Sequence, residues 1–508
     1  MRHNTRICLR YGFLTVLLAL TSTAFALNGD IGIHDPSTVV LDHGKYYVYG
    51  TGGRALVSDD GWTWHAGVAP PLIGAAPDVI HLDGRYYMYV ARGAGGGRSL
   101  PNKAEIDMIW TKSLDPKSPN YKWHQGGKVA SSNGIEDCNA IDPGAFLDPT
   151  TGKFWLTYGS YFGYIRIVQL NPKTGMDMNP NEKPVDLAIN GEASDMIYHD
   201  GWYYLFDTHG SCCDGTNSGY NIRVARSRRP TGPFVDAEGV PSLEGGGTLL
   251  IGSEGRYIGP GHFGLINEGD GVQKFSMHFE ADLDRGGASV LDIRPLLWEN
   301  GWPVAGENPK AGTFEIQSVH SGTSLDMAVE GVPVGGPRKP FRFHRPPPGS
   351  NTAGHRPAHF PFGAMFGGTG KPIPNQTAAD VEKNWPASTV DAGMSNYLAE
   401  AQQKWQLTPV PDAGGYPGGP YFRITIAGTD RALAAVKGAE LVVLPAFTGA
   451  PEQLWRLDQF SDGTWRIMPK AVPGTSEPMA LSAVGASMPT LERLKPKSDR
   501  EHWRLMTP

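Results

Sequence analysis

Five segments in the first three hundred residues each carry an acid or a histidine: His34-Asp35-Pro36-Ser37, Ala76-Pro77-Asp78-Val79, Ala140-Ile141-Asp142-Pro143, Gly191-Glu192-Ala193-Ser194 and Gly259-Pro260-Gly261-His262. Paired carboxylates are what glycoside hydrolysis by inversion requires. One acts as base toward a water and the other, protonated, serves the departing oxygen, at a separation of ~6.5–9.5 Å. The proton donor must hold its proton near neutral pH, which a second nearby carboxylate assists. Asp35, Asp142 and Glu192 can meet these demands if the fold brings distant segments to one place. An Asp before Pro is often only a turn initiator; the recurrence is what lifts these acids above that reading.

The elements that must position them follow directly. Each segment precedes a Gly-containing turn and an aromatic-rich strand. The copies are His43-Gly44-Lys45-Tyr46-Tyr47-Val48-Tyr49, Asp83-Gly84-Arg85-Tyr86-Tyr87-Met88-Tyr89, Thr151-Gly152-Lys153-Phe154-Trp155-Leu156 and Asp200-Gly201-Trp202-Tyr203-Tyr204-Leu205-Phe206, with a weaker fifth at Gly271-Val272-Gln273-Lys274-Phe275-Ser276-Met277. Aromatic and β-branched residues after a turn signal strands. Their repetition at roughly 40–70 residues predicts propeller blades around a central channel. Residues 28–305 therefore read as a five-bladed β-propeller whose inner strands carry the acids. A β-sandwich with accidental repetition is the alternative.

The chain has 508 residues and a formal charge of −6, with 66 Gly and 42 Pro. That composition favours a turn-rich, all-β protein and argues against a basic nucleic-acid binder. Residues 1–26 read as a signal peptide: Arg2, Arg6 and Arg10 precede the apolar run Phe13 to Leu20 and an Ala24-Phe25-Ala26 cleavage site. The run is too short to span a bilayer and no second one follows, so a secreted or periplasmic protein with no membrane partner is expected. Cleavage removes three arginines and no acids, taking the charge from −6 to −9. Cys8 leaves with that segment. Cys138, Cys212 and Cys213 remain, too few to staple a domain and without zinc spacing; one disulfide can form among them.

Residues 310–508 follow a different repeat. Phe314-Glu315-Ile316-Gln317, Tyr421-Phe422-Arg423-Ile424 and Trp465-Arg466-Ile467-Met468 each lead to a small-Leu-small triplet. The triplets are Ser324-Leu325-Asp326, Ala432-Leu433-Ala434 and Ala480-Leu481-Ser482. Each is followed by Gln403-Lys404-Trp405-Gln406-Leu407, Gln453-Leu454-Trp455-Arg456-Leu457 or Glu501-His502-Trp503-Arg504-Leu505. Three such copies resemble a ricin-type β-trefoil. Relatives that bind sugar usually have an Asp in each triplet, seen here only as Asp326, so glycan capture and support of the propeller are both open roles. A Pro/Gly-rich insertion at about 331–392 interrupts the block and reads as a partly ordered arm whose Phe and Trp residues, including Trp385, pack on neighbouring blades or rim the cleft.

Residues 28–305 further resemble glycoside hydrolase family 43, and within it the endo-1,5-α-L-arabinanases. The carrying motifs are His34-Asp35-Pro36-Ser37, Asn139-Ala140-Ile141-Asp142-Pro143, Tyr158-Gly159-Ser160-Tyr161, Cys212-Cys213-Asp214-Gly215 through Tyr220-Asn221-Ile222-Arg223, Ile258-Gly259-Pro260-Gly261-His262 and Arg294-Pro295-Leu296-Leu297-Trp298. The resemblance implies a hydrolase of α-1,5-linked arabinan or arabino-oligosaccharides. Asp35 would be the base, Glu192 the acid, and Asp142 the group that orients Glu192 and raises its pKa. It further implies sugar contacts from His34, Asp78, Asn139, Ser160, Tyr161 and Arg294, and a channel metal, commonly calcium, at His262. Calcium prefers oxygen, so one imidazole is weak chemistry for it.

Ala75 stands where the family often has a Trp before Ala-Pro-Asp, which removes a stacking ring. Tyr161, Phe162 or an aromatic of the insertion would have to replace it, and Asp78 would hold sugar hydroxyls or take a structural hydrogen bond. An exo-acting α-L-arabinofuranosidase or β-xylosidase, and a non-catalytic glycan-binding protein, are the competing readings.

Overall fold

The computed structural model describes residues 27–93, 103–132, 139–329, 377–495 and 497–508. Residues 1–26, which are expected to be a signal peptide, Cys138 and residues 330–376 of the insertion lie outside the described residues. The chain is all-β, and its first block is a five-bladed propeller. The blades begin at Val40–Asp42, Ala75–Leu82, Gly144–Leu147, Gly191–His199 and Tyr257–Gly269, and each continues outward through antiparallel neighbours. The aromatic strands are the second of each blade: Lys45–Gly50, Arg85–Arg92, Phe154–Tyr158, Trp202–His209 and Val272–Asp282. Tight turns with two left-handed residues, such as Asp83-Gly84 (φ 49° and 72°) and Asp200-Gly201 (φ 45° and 83°), join first strand to second. Their twist matches that of the strands, which is why Asp-Gly is favoured there.

Both faces of a blade are covered by its neighbours. Tyr87 and Tyr89 pack with Phe154 and Leu156 between the second and third blades, and Phe146 and Trp155 with Tyr203 and Leu205 between the third and fourth. The largest cluster joins the fourth, fifth and first blades through Tyr204, Phe206, Phe275, Phe279, Leu56 and Trp64. The N-terminal segment ties the ring shut. Asn28–Gly29 pairs in parallel with Thr63 and Trp64 of the first blade, and Gly32 bridges to Val290 of the fifth.

In the second block six strands form a closed ring: Gly312–Ser318, Trp405–Pro409, Phe422–Ile426, Trp455–Gln459, Trp465–Pro469 and Trp503–Met506, the last pairing back with the first. The remaining strands make three pairs: Ser324–Met327 with Val390–Ser395, Ala432–Val436 with Glu440–Leu444, and Met479–Val484 with Met488–Arg493. The indole N–H groups of Trp405, Trp455 and Trp503 donate to the carbonyls of Leu325, Leu433 and Leu481, at 2.9, 3.1 and 2.8 Å. One hydrogen bond thus recurs in all three sequence repeats. The far end of the insertion departs from the irregular loop read from its composition. Ala378–Val381 is a capped helical turn, Val390–Ser395 is a strand of the sheet, and Trp385 packs on the second block's own core rather than on a blade. The Trp385 ring lies 5.8 Å from the Arg431 guanidinium, which donates to Pro386 O.

Candidate active site

Each blade presents one non-glycine residue in left-handed conformation at its channel end: Asp35 (φ 49°), Ala76 (42°), Asp142 (52°), Ala193 (51°) and His262 (60°). In the second, fourth and fifth blades that residue sits at a break in the pairing register. Such backbone costs about 1 kcal/mol or more per residue and clusters at functional sites. It also gives the five-fold phase that sequence alone leaves ambiguous. Asp35 and Asp142 are equivalent, lying just ahead of their strands. Glu192 is one residue earlier than its blade's marker, and Asp78 and Asp195 are two later.

Asp35 is held from three sides. His34 Nδ1 lies 2.8 Å from its Oδ2, His262 Nε2 lies 2.9 Å from its Oδ1, and Thr51 Oγ1 donates to Oδ2 at 2.5 Å. Thr51 Oγ1 in turn accepts from Ala76 N at 2.9 Å, fixing the first blade to the second. Burial opposes ionisation of Asp35, but His262 and His34 together outweigh it and hold the carboxyl well below its usual range. His34 is bracketed by a second carboxylate, Glu280, whose Oε1 is 3.2 Å from Nε2. Burial lowers the His34 pKa, yet the hydrogen bonds to Asp35 and Glu280 more than compensate and raise it to about 10, leaving an imidazolium at neutral pH.

Glu192 is buried and accepts from the Tyr220 hydroxyl. Burial raises its pKa to about 7; the Tyr220 hydrogen bond pulls the other way, and the charges of Asp35 and Glu280 push upward. Asp142 is lifted well above the usual carboxylate range, first by burial and then by Glu192 and Asp35. It accepts from Ala193 N at 3.2 Å, next to Glu192 in the chain. Asp35 and Glu192 are thus two buried carboxyl groups close enough for the charge of one to act on the other, driven apart in pKa by different surroundings, and such divergence separates base from acid.

The other expected residues divide. Asn139 Nδ2 donates to Ser160 Oγ at 3.0 Å, so these two meet, and the Tyr161 and Phe162 rings follow at 4.6 Å from each other. Asp78 takes the structural role: its oxygens accept from Thr38 N at 3.0 Å and Ala145 N at 2.8 Å, linking three blades. Arg294 is not brought to the acids by any described contact. It lies on the third strand of its blade, with its guanidinium on Asp292 (2.7 Å) and Glu254 (2.6 Å).

Residue-by-residue reading passed over Tyr220, Glu280, Thr51, Asp195 and the fully buried His278, whose ring centroid is 4.7 Å from that of His34. Polar His278 and Glu280 inside the apolar strand Val272–Asp282 were the available signal. Cys212 and Cys213 pair with each other as a vicinal disulfide.

The channel cavity is lined by Asp78, Asp142, Asp195 and His262, with no Lys or Arg among the described residues of its wall. Burial pushes Asp195 well above the usual range, and the nearby Asp78 adds to it. A hard divalent cation prefers oxygen ligands; among the described residues the groups whose ligand atoms lie within 4.8 Å of one another are His34, Asp35 and His278, and His34, Cys212, Cys213 and Glu280, neither of which includes His262 or Asp195.

The model of glycosyl hydrolases family 43 matches residues 49–303, half of the chain. The chain belongs to this family. It is a glycoside hydrolase. Among its family 43 relatives, the extracellular endo-α-(1→5)-L-arabinanase 1 of Bacillus subtilis (strain 168) is 30% identical over 328 residues, covering 59% of this chain and 96% of the relative. The extracellular exo-α-(1→5)-L-arabinofuranosidase of Cellvibrio japonicus (strain Ueda107) is 29% identical over 336 residues, covering 60% and 94%. A solved structure, Cellvibrio cellulosa α-L-arabinanase complexed with arabinohexaose, is 27% identical with a TM-score of 0.50, covering 54% of this chain and 95% of that one.

Proposed function

We propose that this family 43 enzyme is exported and cleaves α-1,5-linked L-arabinan internally, with inversion. The observation that carries the reading is the divided charge state of two buried carboxyl groups: Asp35 kept ionised by His34 and His262, Glu192 kept protonated up to about pH 7. Asp35 would take a proton from water as the water attacks the anomeric carbon, while Glu192 delivers its proton to the leaving oxygen. Asp142, itself lifted in pKa, orients Glu192 through the Ala193 amide. Tyr161 and Phe162 offer the stacking surface that Ala75 does not. The extracellular relatives support export.

The second block we read as a β-trefoil. The closed six-strand ring and the thrice-repeated indole bond support this. In the channel, His262 would be the residue beside which a calcium ion is held, and such an ion would supply positive charge to the channel. Chelation followed by recalcification should lower and then restore activity; an activity indifferent to chelator removes the ion from the account.

The test of function is a product-size profile on debranched arabinan together with the anomeric configuration of the first products. Endo action releases a range of oligosaccharides with inverted anomers. Arabinose alone from chain ends would transfer the assignment to an exo-arabinofuranosidase. Glu192→Gln should reduce turnover at least 1,000-fold, on the order expected for a lost general acid, while retaining binding. Binding with no new reducing ends from the unsubstituted protein would make it a glycan-binding protein.

A further inference from the structure

Glu280 lies on the second strand of the fifth blade and is buried, and it touches neither Asp35 nor Glu192. Its Oε1 serves two donors. His34 Nε2 is 3.2 Å away, and the backbone N–H of Cys213 donates to the same oxygen at 3.0 Å. His34 then reaches Asp35 through its other ring nitrogen at 2.8 Å. The Cys213 contact belongs to the loop between Trp202–His209 and Asn221–Ser227, which ends in Tyr220, the hydrogen-bond partner of Glu192.

The loop is built to stay in place. Cys212 and Cys213 close a covalent ring at its tip, and Ser218 Oγ donates across it to Ser211 O at 2.8 Å. It seats against the fifth blade only because residue 259 is glycine. A Cβ there would stand 2.6 Å from Ser218 Oγ and 3.1 Å from Glu280 Cβ, at a left-handed φ of 65°. Glu280 is therefore where two chains of contact meet. One runs through His34 to the base, the other through the double-cysteine loop to the acid's partner.

We propose that Glu280 is a positioning residue: it sets the orientation of His34, and through it of Asp35, against the Cys212–Cys213 loop that carries Tyr220. This rests on the assignment of Asp35 as base. Both donors converge on one oxygen, so what a carboxylate adds at 280 is the negative charge that the His34 imidazolium faces. A glutamine could still present its carbonyl to both donors but would lack that charge and hold His34 more weakly. Inversion tolerates little error in where the base holds its water, and displacement of a positioned group by about 1 Å can cost 100-fold in rate.

The experiment uses the full mature chain. Glu280→Gln should lower kcat by about 10- to 100-fold, with KM within about three-fold of the unsubstituted enzyme. The loss should be the same on an aryl glycoside of an α-1,5-arabino-oligosaccharide with an activated leaving group as on debranched arabinan, because the base and not the acid is misplaced. Glu280→Asp, which keeps the charge, should recover part of kcat. The second readout needs no substrate. The His34 imidazole proton on Nε2, held by Glu280, should give a slowly exchanging downfield NMR signal that Glu280→Gln moves upfield or abolishes and His34→Gln identifies. Unchanged kcat in Glu280→Gln, a loss confined to KM, or a loss confined to poor leaving groups overturns the proposal; so does a His34 signal that Glu280→Gln leaves unmoved. An enzyme inert on every arabinoside that still shows the signal and its shift or loss would sink the arabinan reading and leave the Glu280–His34 link standing.

Discussion

Tyr220 and Glu192 offer a test of the acid at the scale of one hydrogen bond. The hydroxyl donates to the carboxylate, which favours the ionised form and works against the upward push of burial. Taking the hydroxyl away therefore raises the pKa of Glu192 further. The acid must be protonated to act, so activity falls as pH rises through its pKa, near 7 in the unsubstituted enzyme. Tyr220→Phe should move the alkaline limb of the kcat/KM profile upward by about one pH unit, a shift a charge-assisted hydrogen bond of ~1.5 kcal/mol would produce. A pH–rate series on a soluble arabino-oligosaccharide reads this directly. A limb that stays put, or moves down, separates Glu192 from the proton donated. Asp35, Asp142 and Glu192 were legible because carboxylates ahead of a repeated strand are unusual. Glu280 was not, because its role comes from His34, more than two hundred positions away, and from the backbone N–H of Cys213.

At the scale of elements, aromatic strands and Asp-Gly turns announce themselves, and the five second strands fall where the repeat places them. The channel ends do not. Ala76 and Ala193 carry no sequence mark of a left-handed backbone; packing imposes it, and only the coordinates bring them into phase with Asp35, Asp142 and His262. In the second block the repeat is legible down to one imperfect copy. Gln403 accepts from Leu398 N and donates to Asn396 O, and Gln453 accepts from Thr448 N and donates to Ala446 O. Glu501 stands in the third copy and accepts from Lys495 N, but as a carboxylate has nothing to donate; it is fully buried with Oε2 unpartnered. Glu501→Gln should stabilise the protein by about 1 kcal/mol, the net worth of a recovered hydrogen bond. Burial raises the Glu501 pKa, so the unsubstituted protein loses stability as pH rises through that folded-state value. The gain in denaturant midpoint should thus be larger at pH 7 than at pH 4, where the glutamic acid is protonated and can itself donate. An equal gain at both pH values would contradict this.

Across the whole molecule the two blocks are joined by a buried ionic contact that neither repeat foreshadows. Asp458, on Trp455–Gln459, is fully buried and lies 3.0 Å from Lys274 Nζ of the fifth blade. Arg456 and Arg466 approach its other oxygen at 2.7 and 3.2 Å, and Arg456 also pairs with Glu268. Two further hydrogen bonds join the blocks: Trp298 N donates to Ser461 O at 2.8 Å, and Gly415 N donates to the Asp60 carboxylate oxygen Oδ2 of the first blade at 2.8 Å. Burial alone would raise the Asp458 pKa, but Arg456, Lys274 and Arg466 reverse this and hold it far below the usual carboxylate range. A depressed folded-state value means that the contribution is complete above the unfolded pKa of about 3.9 and fades only as pH falls through the folded one. Asp458→Asn leaves buried cations without their counter-charge, which costs about 3–5 kcal/mol where one partner of a buried pair is removed. That cost falls on the junction and not on the channel. Calorimetry at pH 7 should therefore show one melting transition for the unsubstituted protein and two for Asp458→Asn, the lower one earlier by several degrees, while kcat on arabinan at 25 °C stays within about two-fold. A single unshifted transition would show that the blocks hold together without this ion cluster. A large loss of kcat would show that the second block acts on the catalytic pocket through it.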